Sequence, residues 1–196
     1  LGTAIITKKK KYSFYSIGWI IFYLTLGFIQ YDRALSVANE LAKSRGHEAQ
    51  RLTLKPSFGN LILWKSIYRF QDTFYVDAIR IFQSPTVCSG ETIQVFDYRQ
   101  HIPSLDRHSQ QAEDIERFRW FSQDYIGFYE EENLVTDVRY SMLPNQIEPM
   151  WGLVIDDQKK VHDHATWWSG RNLDQNQLNI FKEMLIGKKC RIIFRP

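Results

Sequence analysis

The hydrophobic pattern of the chain is dominated by one long segment without charge near its start. Twenty consecutive residues from Tyr12 to Tyr31 carry no charged side chain, and the run Lys8–Lys11 precedes them directly. As a helix the segment spans roughly 30 Å, about the thickness of the hydrocarbon core of a bilayer. The pattern predicts a transmembrane helix at 12–31. The alternative, a buried helix of a soluble protein, seldom runs this long without a charge.

A second, shorter apolar stretch, Leu1–Thr7, lies before the lysines. A cleaved signal peptide has the opposite order, with charge first, then the apolar run, then a small-residue cleavage site. We therefore interpret residues 1–11 as the end of a preceding membrane helix followed by a basic loop. On this interpretation the chain is the C-terminal part of a longer protein.

Helical periodicity continues beyond the uncharged segment. Leu35, Ala38, Leu41 and Ala42 recur at helical spacing among charged residues, and Gly46 is typical of a helix end. We expect the membrane helix to leave the bilayer as an amphipathic extension that packs on the following domain.

The pattern changes to short apolar and β-branched runs after residue 50. Gln71–Asp72 and Glu131–Asn133 each separate two such runs, which predicts two hairpins. Pro56 and Gly59 break regular strand pairing and predict a loop at 55–60. The predicted strands are residues 51–54, 61–70, 73–82, 93–98, 126–130, 134–140 and 151–155.

Two further helices interrupt the strands. Apolar residues recur at helical spacing in 112–121 and in 178–185, where Asp174 and Gly187 are typical of a helix start and a helix stop. Hairpins with inserted rather than alternating helices indicate an α+β fold. The sequence thus predicts a soluble α+β domain at 32–196, built as an antiparallel β-sheet with two packed helices.

Composition limits the partners of this domain. Charged residues make up 24% of the chain, which is ordinary for a globular protein. The formal net charge of +3 becomes nearly neutral without Lys8–Lys11, so the domain has no basic footprint for nucleic acid. We expect the lipid bilayer as a partner and no nucleic acid.

The two cysteines, Cys88 and Cys190, lie far apart and form no Cys-x-x-Cys pair. A disulfide between them is conceivable outside the cytoplasm, but we expect two free buried thiols. Cys88 has no nearby histidine or helix start that would activate it as a nucleophile.

The densest group of potential metal ligands is His162-Asp163-His164. On a strand, two histidines separated by one residue share a face, which suits zinc. A third ligand would have to come from His101 or His108, and the neighbouring lysines favour an exposed polar segment as the simpler interpretation. No Gly-x-Ser-x-Gly turn, glycine-rich phosphate loop or His-Glu-x-x-His motif is present.

Aromatic residues are dense in the predicted hairpin at 61–82. Trp64, Tyr68 and Tyr75 are candidates for a pocket or a lipid-binding surface, although packing beneath a helix is the simpler interpretation. We expect Trp64 to be a core residue. Trp167 and Trp168, on a predicted loop, are candidates for contact with the membrane surface or a partner, because adjacent tryptophans cannot both be buried easily.

Several short motifs resemble those of a known family. Pro56, Ser57 and Asn60 fit a loop of the type Pro-[Ser/Thr]-x-x-Asn, which leads into Leu63-Trp64-Lys65 as a Leu-Trp-[Arg/Lys] strand. The similarity covers most of 12–142 and continues through Phe74–Ala78, Arg119–Ser122, Tyr125–Tyr129 and Val138–Met142. On these residues the chain resembles the C-terminal part of bacterial membrane-bound metal-dependent hydrolase-like proteins, the YdjM-like family of the inner membrane.

The resemblance implies the membrane-anchored domain of a metal-dependent hydrolase with an unknown substrate. The expected metal ligands of that family lie in a His-Arg-Gly-x-Thr-His-Ser run and a Pro-Asp-x-Asp-like segment, and neither is in this sequence. We therefore expect no catalytic residue, no metal ligand and no hydrolytic activity in this chain alone, with a divalent metal in the full-length protein. The alternative is a non-catalytic, membrane-tethered module that binds a lipid, a wall component or a protein.

Basic residues predict the side of the membrane. Lys and Arg close to a span tend to stay in the cytoplasm, and Lys8–Lys11 outnumber Arg33, Lys43 and Arg45 on the other flank. We expect the domain at 32–196 on the extracytoplasmic side of the cytoplasmic membrane.

Overall fold

One continuous helix begins the structure, a computed structural model that describes residues 10–170, 174–188 and 190. Helix α1 runs over Lys10–Ser44, so the uncharged segment and its amphipathic extension are a single element, as predicted. It ends in a Schellman motif, in which His47 N donates to Ala42 O at 3.0 Å and Gly46 N to Lys43 O at 2.9 Å. Gly46 has a φ of 74°, which residues with a Cβ seldom adopt.

Helix α1 has an exposed apolar part and a packed part. Side chains at 13–29 are exposed or half-buried, and the segment Ser13–Ser44 is long and apolar enough to cross a membrane by length and composition. From Gln30 onward one face is buried against the first sheet. That face includes Ala34, Val37, Ala38 and Leu41. The expected earlier helix at 1–7 lies outside the described residues, as do Lys8 and Lys9.

The first sheet is antiparallel and follows α1. Its strands are β1 (Gln50–Pro56), β2 (Leu63–Phe70), β3 (Thr73–Arg80), β4 (Thr86–Cys88) and β5 (Thr92–Gln94). The order is β1-β2-β3-β4, with β5 also on β3. β2 and β3 form the predicted hairpin through Gln71 and Asp72. β2 begins later than predicted because the Asn60 side chain accepts hydrogen bonds from Ile62 N and Leu63 N, which fixes a turn there.

The second sheet is also antiparallel, where the sequence predicted one sheet in all. Its strands, in spatial order, are β6 (Ile126–Tyr129), β7 (Leu134–Asp137), β8 (Trp151–Val154) and β9 (Thr166–Ser169). β6 and β7 form the second predicted hairpin through a 3-10 turn at Glu130–Glu132 and Asn133, whose φ is 51°. The prediction of a loop at Trp167 and Trp168 is wrong. In β9 adjacent side chains point to opposite faces, which lets two neighbouring tryptophans pack separately.

Three helices complete the domain: α2 (Tyr98–His101), α3 (Gln110–Phe121) and α4 (Gln175–Leu185). Ser109 caps α3, and Asp174 caps α4 by accepting from Gln177 N at 2.7 Å. The strand predicted at 93–98 ends early because Asp97 caps α2 instead. α3 packs on the second sheet and α4 on the first, so the α+β prediction is confirmed.

A disulfide joins Cys88 at the end of β4 to Cys190 after α4. The expectation of two free thiols is therefore wrong. The cysteines are 102 positions apart, so the sequence does not show that they are close in space. α4 packs its Met184 beside Leu63 and Ala78, and this packing brings the chain after α4 back to β4.

Candidate functional site

A pocket of about 540 Å³ lies between the first sheet, the β7–β8 connection and α4. Small-molecule sites commonly have this size. Its apolar lining includes Phe58, Met142, Pro144, Met150, Leu178 and Phe181. Its polar lining comprises Lys55, Ser57, Lys65, Arg139, Tyr140 and Ser141. Three of these polar residues are basic and none of the described residues in the lining is acidic, so the pocket combines an apolar surface with positive charge.

Lys65 is the most unusual residue of the pocket, because it is a lysine only 5% exposed. It lies between the buried Leu63 and Ile67 on the face of β2 that points away from α1. Its Nζ donates to Ser141 Oγ at 2.6 Å and to Gln146 O at 2.8 Å. Burial disfavours the charged ammonium and lowers the pKa of Lys65 to about 7. A large fraction of the Lys65 amine is therefore uncharged at neutral pH.

The pKa of Lys65 also depends on two more distant carboxylates. Glu91 and Asp137 oppose the shift and raise the pKa of Lys65, but burial outweighs them. Neither carboxylate forms an ion pair with Lys65 in the part of the chain that the structure describes. The amine is thus held by a hydroxyl and a carbonyl rather than by a counter-charge.

Ser141 lies just after β7 and is held by its neighbours. Its Oγ accepts from Lys65 and donates to Leu143 O at 2.6 Å. The turn before it is fixed by a buried ion pair, in which Arg139 binds Asp137 with one contact of 2.7 Å. Arg139 also donates to Phe121 O at 3.1 Å, which ties this turn to the end of α3. These contacts fix the backbone that follows β7, and this backbone places Ser141 in the lining of the pocket.

Lys55, which is half-buried, supplies a second positive charge to the pocket. It lies opposite Lys65 in the register of β1 and β2. Its Nζ donates to Tyr140 Oη at 2.9 Å and lies 4.2 Å from the centre of that ring, a cation–π arrangement. Asp137 neutralises Arg139, whereas no carboxylate of the described residues pairs with Lys55. The pocket therefore carries a net positive charge even when Lys65 is neutral.

Ser57 contributes a hydroxyl with no hydrogen-bond partner among the described residues. Its backbone N donates to Leu63 O at 2.8 Å, but its Oγ is buried and unpaired. A buried polar atom without a partner costs about 1–3 kcal/mol. A polar group of a ligand in the pocket would remove this cost.

The loop that lines the pocket also touches α1 at the end of the uncharged segment. Gln30 Nε2 donates to Leu61 O at 3.3 Å and to Ile81 O at 3.2 Å. The Leu61 side chain packs against α1 at Gly27. On the same loop Phe58 is 98% exposed although it borders the pocket. Residues 56–62 thus form one loop that lines the pocket and also contacts α1 where its apolar segment ends.

The chain matches no protein-family model, no curated protein and no solved structure. Its resemblance to membrane-bound hydrolase-like proteins therefore stays a prediction. The function of the pocket has to be inferred from its own residues and geometry.

Trp64, one of the aromatic candidates from the sequence, does not line the pocket. It is 3% exposed, and its Nε1 donates to Leu61 O at 3.0 Å. Its ring packs edge-on against Tyr31 of α1, with ring centroids 5.9 Å apart. Trp64 is thus a core residue beneath the helix, which agrees with the simpler interpretation.

Tyr68 and Tyr75 belong to a network at the end of α1. Their rings stack with centroids 5.1 Å apart, and Tyr68 Oη lies 2.9 Å from His47 Nδ1. Arg45 donates to Tyr68 Oη at 3.2 Å and binds both oxygens of the buried Asp77, at 2.7 and 2.9 Å. The network fixes the end of α1 on the sheet and lies on the face of β2 opposite to Lys65.

His162 and His164 are both exposed in the β8–β9 connection, which is not a strand. His164 Nδ1 lies 2.8 Å from Asp114 Oδ2. Within residues 10–170, 174–188 and 190 no three His, Cys, Asp or Glu side chains are grouped to hold a metal, so His101 and His108 do not complete a site there. The divalent metal expected in the full-length protein stays a prediction.

Trp167 and Trp168 lie on the edge strand β9 rather than at the pocket. Trp167 is 58% exposed and packs edge-on against Phe118 of α3, with ring centroids 6.1 Å apart. Trp168 is half-buried. A role for this pair at a membrane surface or a partner stays a prediction.

Lys65 and Ser141 are the pocket residues that the sequence interpretation missed. One indication of Lys65 was available, because a lysine at the alternate position between Leu63 and Ile67 falls on a buried face of the predicted strand. Ser141 had no such indication. Its pairing with Lys65 joins positions 76 residues apart and depends on how the two sheets pack.

Proposed function

We propose that the chain is a membrane-tethered, extracytoplasmic domain whose pocket binds an amphiphilic anion from the adjacent bilayer. A fatty acid and a lipid with an acidic headgroup both belong to this ligand class. The observation that carries the proposal is an apolar, positively charged pocket built partly from the loop that contacts α1. The apolar lining suits an acyl chain and Lys55 suits an acid group.

The position of the bilayer follows from the helix. With residues 12–31 in the hydrocarbon core, Lys8–Lys11 lie at one surface and Tyr31 at the other. The nearness of Leu61 to Gly27 and the hydrogen bond from Gln30 to Leu61 O then put the loop at 56–62 at the edge of the hydrocarbon core, and the exposed Phe58 ring is suited to the adjoining headgroup layer. A lipid would reach the pocket without crossing bulk water.

Two independent observations support the extracytoplasmic side. The disulfide between Cys88 and Cys190 is of a kind that persists in oxidising compartments. The four lysines before the helix favour a cytoplasmic position for the opposite flank. Both observations favour a domain outside the cytoplasm, anchored in the bacterial inner membrane as the resemblance implies.

Binding can be tested with a fatty acid that carries a photoreactive diazirine in its chain. The purified chain in nanodiscs is illuminated with this probe, and the crosslinked peptides are identified by mass spectrometry. We expect crosslinks to the residues lining the pocket, together with crosslinks to the lipid-facing part of α1. Crosslinks confined to α1 would contradict the proposal.

Two variants and one control sharpen this experiment. Met150→Trp fills the pocket and Lys55→Glu reverses its charge, so both should reduce crosslinking at the pocket several-fold. Ile186→Trp adds the same ring at an exposed position outside the lining and should leave it unchanged. A neutral diazirine fatty alcohol should label the pocket less than the acid does, because it lacks the charge that Lys55 would bind.

The resemblance supports a second candidate function. Motif segments that resemble the hydrolase-like family, 55–65 and 138–142, contain every polar residue of the pocket lining. On this proposal the pocket selects a substrate for a divalent metal site elsewhere in a longer chain. Paired His and Asp motifs in membrane segments upstream of Leu1 would favour it, and a sequence without them would favour the binding module.

A further inference from the structure

We propose that Lys65 and Ser141 act as general base and nucleophile in cleaving an acyl ester of a lipid bound in the pocket. The inference rests on the ligand-binding function proposed above and names the substrate class of that site. It differs from the sequence-based expectation that this chain alone is inactive.

The distance between the two groups suits proton transfer. Lys65 Nζ and Ser141 Oγ are 2.6 Å apart, within the range required of a base that activates a hydroxyl. Both residues line the same pocket, so an ester group placed there can reach the hydroxyl. Pairs of serine and lysine are an established variant of the nucleophile–base arrangement.

The hydrogen bonds around the pair are compatible with a neutral amine. Such an amine has two N–H donors and one lone pair. It can donate to Gln146 O and turn its lone pair toward Ser141, whose hydrogen then leaves Leu143 O for Nζ. Rotation about the Cε–Nζ bond of Lys65 and the Cβ–Oγ bond of Ser141 is sufficient. The lowered pKa of Lys65, about 7, keeps the amine available as a base near neutral pH.

Ser57 gives the pocket a donor for the charge that develops during the reaction. Its buried hydroxyl has no hydrogen-bond partner in the part of the chain that is described, and it lines the same pocket as Ser141. Serine hydroxyls can stabilise the oxyanion of a tetrahedral intermediate. On this proposal the Ser57 hydroxyl turns toward the oxyanion, and no existing hydrogen bond is lost.

The first half-reaction forms an acyl-enzyme. Ser141 Oγ attacks the ester carbonyl carbon while its proton passes to the Lys65 amine. The bond between that carbon and the alcohol oxygen then breaks, and the Lys65 ammonium gives the proton to the departing alcohol. The acyl group remains on Ser141 and Lys65 is neutral again.

The second half-reaction consumes one water. Water attacks the acyl carbon and passes a proton to Lys65, and the bond from Ser141 Oγ to this carbon breaks. Lys65 returns the proton to Ser141 Oγ, and a carboxylic acid leaves. The sum is hydrolysis of an ester to an alcohol and an acid without an oxidant or reductant. The acid belongs to the amphiphilic class for which the pocket is suited.

The test uses the full chain in detergent micelles with p-nitrophenyl octanoate as substrate and a fluorophosphonate as covalent probe. We expect measurable turnover, and a phosphonyl adduct on Ser141 by peptide mass spectrometry. Ser141→Ala and Lys65→Met should each lower kcat/KM by about 100-fold or more, the usual scale for loss of a general base. Ser84→Ala, which changes an exposed serine outside the pocket, is the matched control and should keep full activity.

A pH profile separates catalysis from a structural role. The kcat/KM of the wild type should rise with pH and level off above the pKa of Lys65, about 7. Circular dichroism verifies that the variants fold. If Lys65→Met does not fold, Ser141→Ala and the location of the adduct still decide the question.

Three results would overturn the inference: full turnover in Ser141→Ala, an adduct only on other residues, or no turnover and no adduct at all. If the photoreactive fatty acid still labels the pocket in that case, the binding function stands and only the catalytic pair is refuted. If the pocket is not labelled either, both proposals fail.

Discussion

Replacing Lys65 with methionine tests whether the buried amine behaves as its surroundings require. The substitution shortens the unbranched side chain by one atom and removes its charge. The pKa of Lys65 falls from an ordinary value of 10.5 to about 7 in the folded chain. Each pKa unit corresponds to 1.36 kcal/mol, so burial of the ammonium costs on the order of 5 kcal/mol when both states are charged.

The sign of the pH dependence follows from proton counting. Between about pH 7 and pH 10.5 the unfolded chain binds more protons at Lys65 than the folded chain does, so the stability of the wild type increases with pH. Below that window both states are charged and the full cost is present. Above it both are neutral and the cost is gone. From pH 7 to pH 9 the wild type should gain about 2 kcal/mol relative to Lys65→Met.

Urea unfolding of the purified chain in micelles, followed by tryptophan fluorescence at pH 6, 7, 8 and 9, measures this difference. Subtracting the variant from the wild type removes the contributions of other titrating groups. Lys182→Met, which removes an exposed lysine of α4, serves as the control and should show no pH-dependent difference. A difference in unfolding free energy between the wild type and Lys65→Met that stays constant from pH 6 to pH 9 would refute the reasoning.

Three further predictions concern the stability of the domain and the side of the membrane on which it lies. Trp64→Ala should cost roughly 3–5 kcal/mol of unfolding free energy because Trp64 is buried, whereas Trp120→Ala, at a residue 83% exposed, should barely shift the thermal melt. Reducing the Cys88–Cys190 disulfide should destabilise the domain by about 2–5 kcal/mol, seen as a lower urea midpoint; an unchanged midpoint would contradict this contribution of the crosslink. A Glu131→Cys variant in intact cells should react with a membrane-impermeant maleimide without lysis, and protection until lysis would place the domain in the cytoplasm.

Local chemistry explains why most helix ends and both hairpins could be predicted from the sequence. The uncharged run predicts α1 and Gly46 predicts its end. Asp174 marks the start of α4 by its capping carboxylate. The hairpin through Gln71 follows from two apolar runs and a short polar break. These features depend on neighbours within a few residues, which the sequence displays directly.

The errors share a different cause, which is long-range contact. Thr166–Ser169 form β9 by pairing with β8. The disulfide forms because α4 returns the chain to Cys88. The pairing of Lys65 with Ser141 likewise needs two sheets to pack. The candidate site therefore depends on tertiary packing that brings two separate segments of the chain together.

The central claim is that α1 anchors the chain in a membrane and that the pocket takes an amphiphilic anion from it. It is tested most directly by placing the photocrosslinking residue p-benzoylphenylalanine at Phe181, in the pocket lining, and illuminating cells that carry the intact chain. Mass spectrometry then identifies whatever small molecule is attached. The account predicts adducts with the mass of a fatty acid or an acidic lipid, absent when the residue is placed at Val161, which is exposed in the β8–β9 connection. No lipid adduct at Phe181, or equal lipid adducts at both positions, would contradict it.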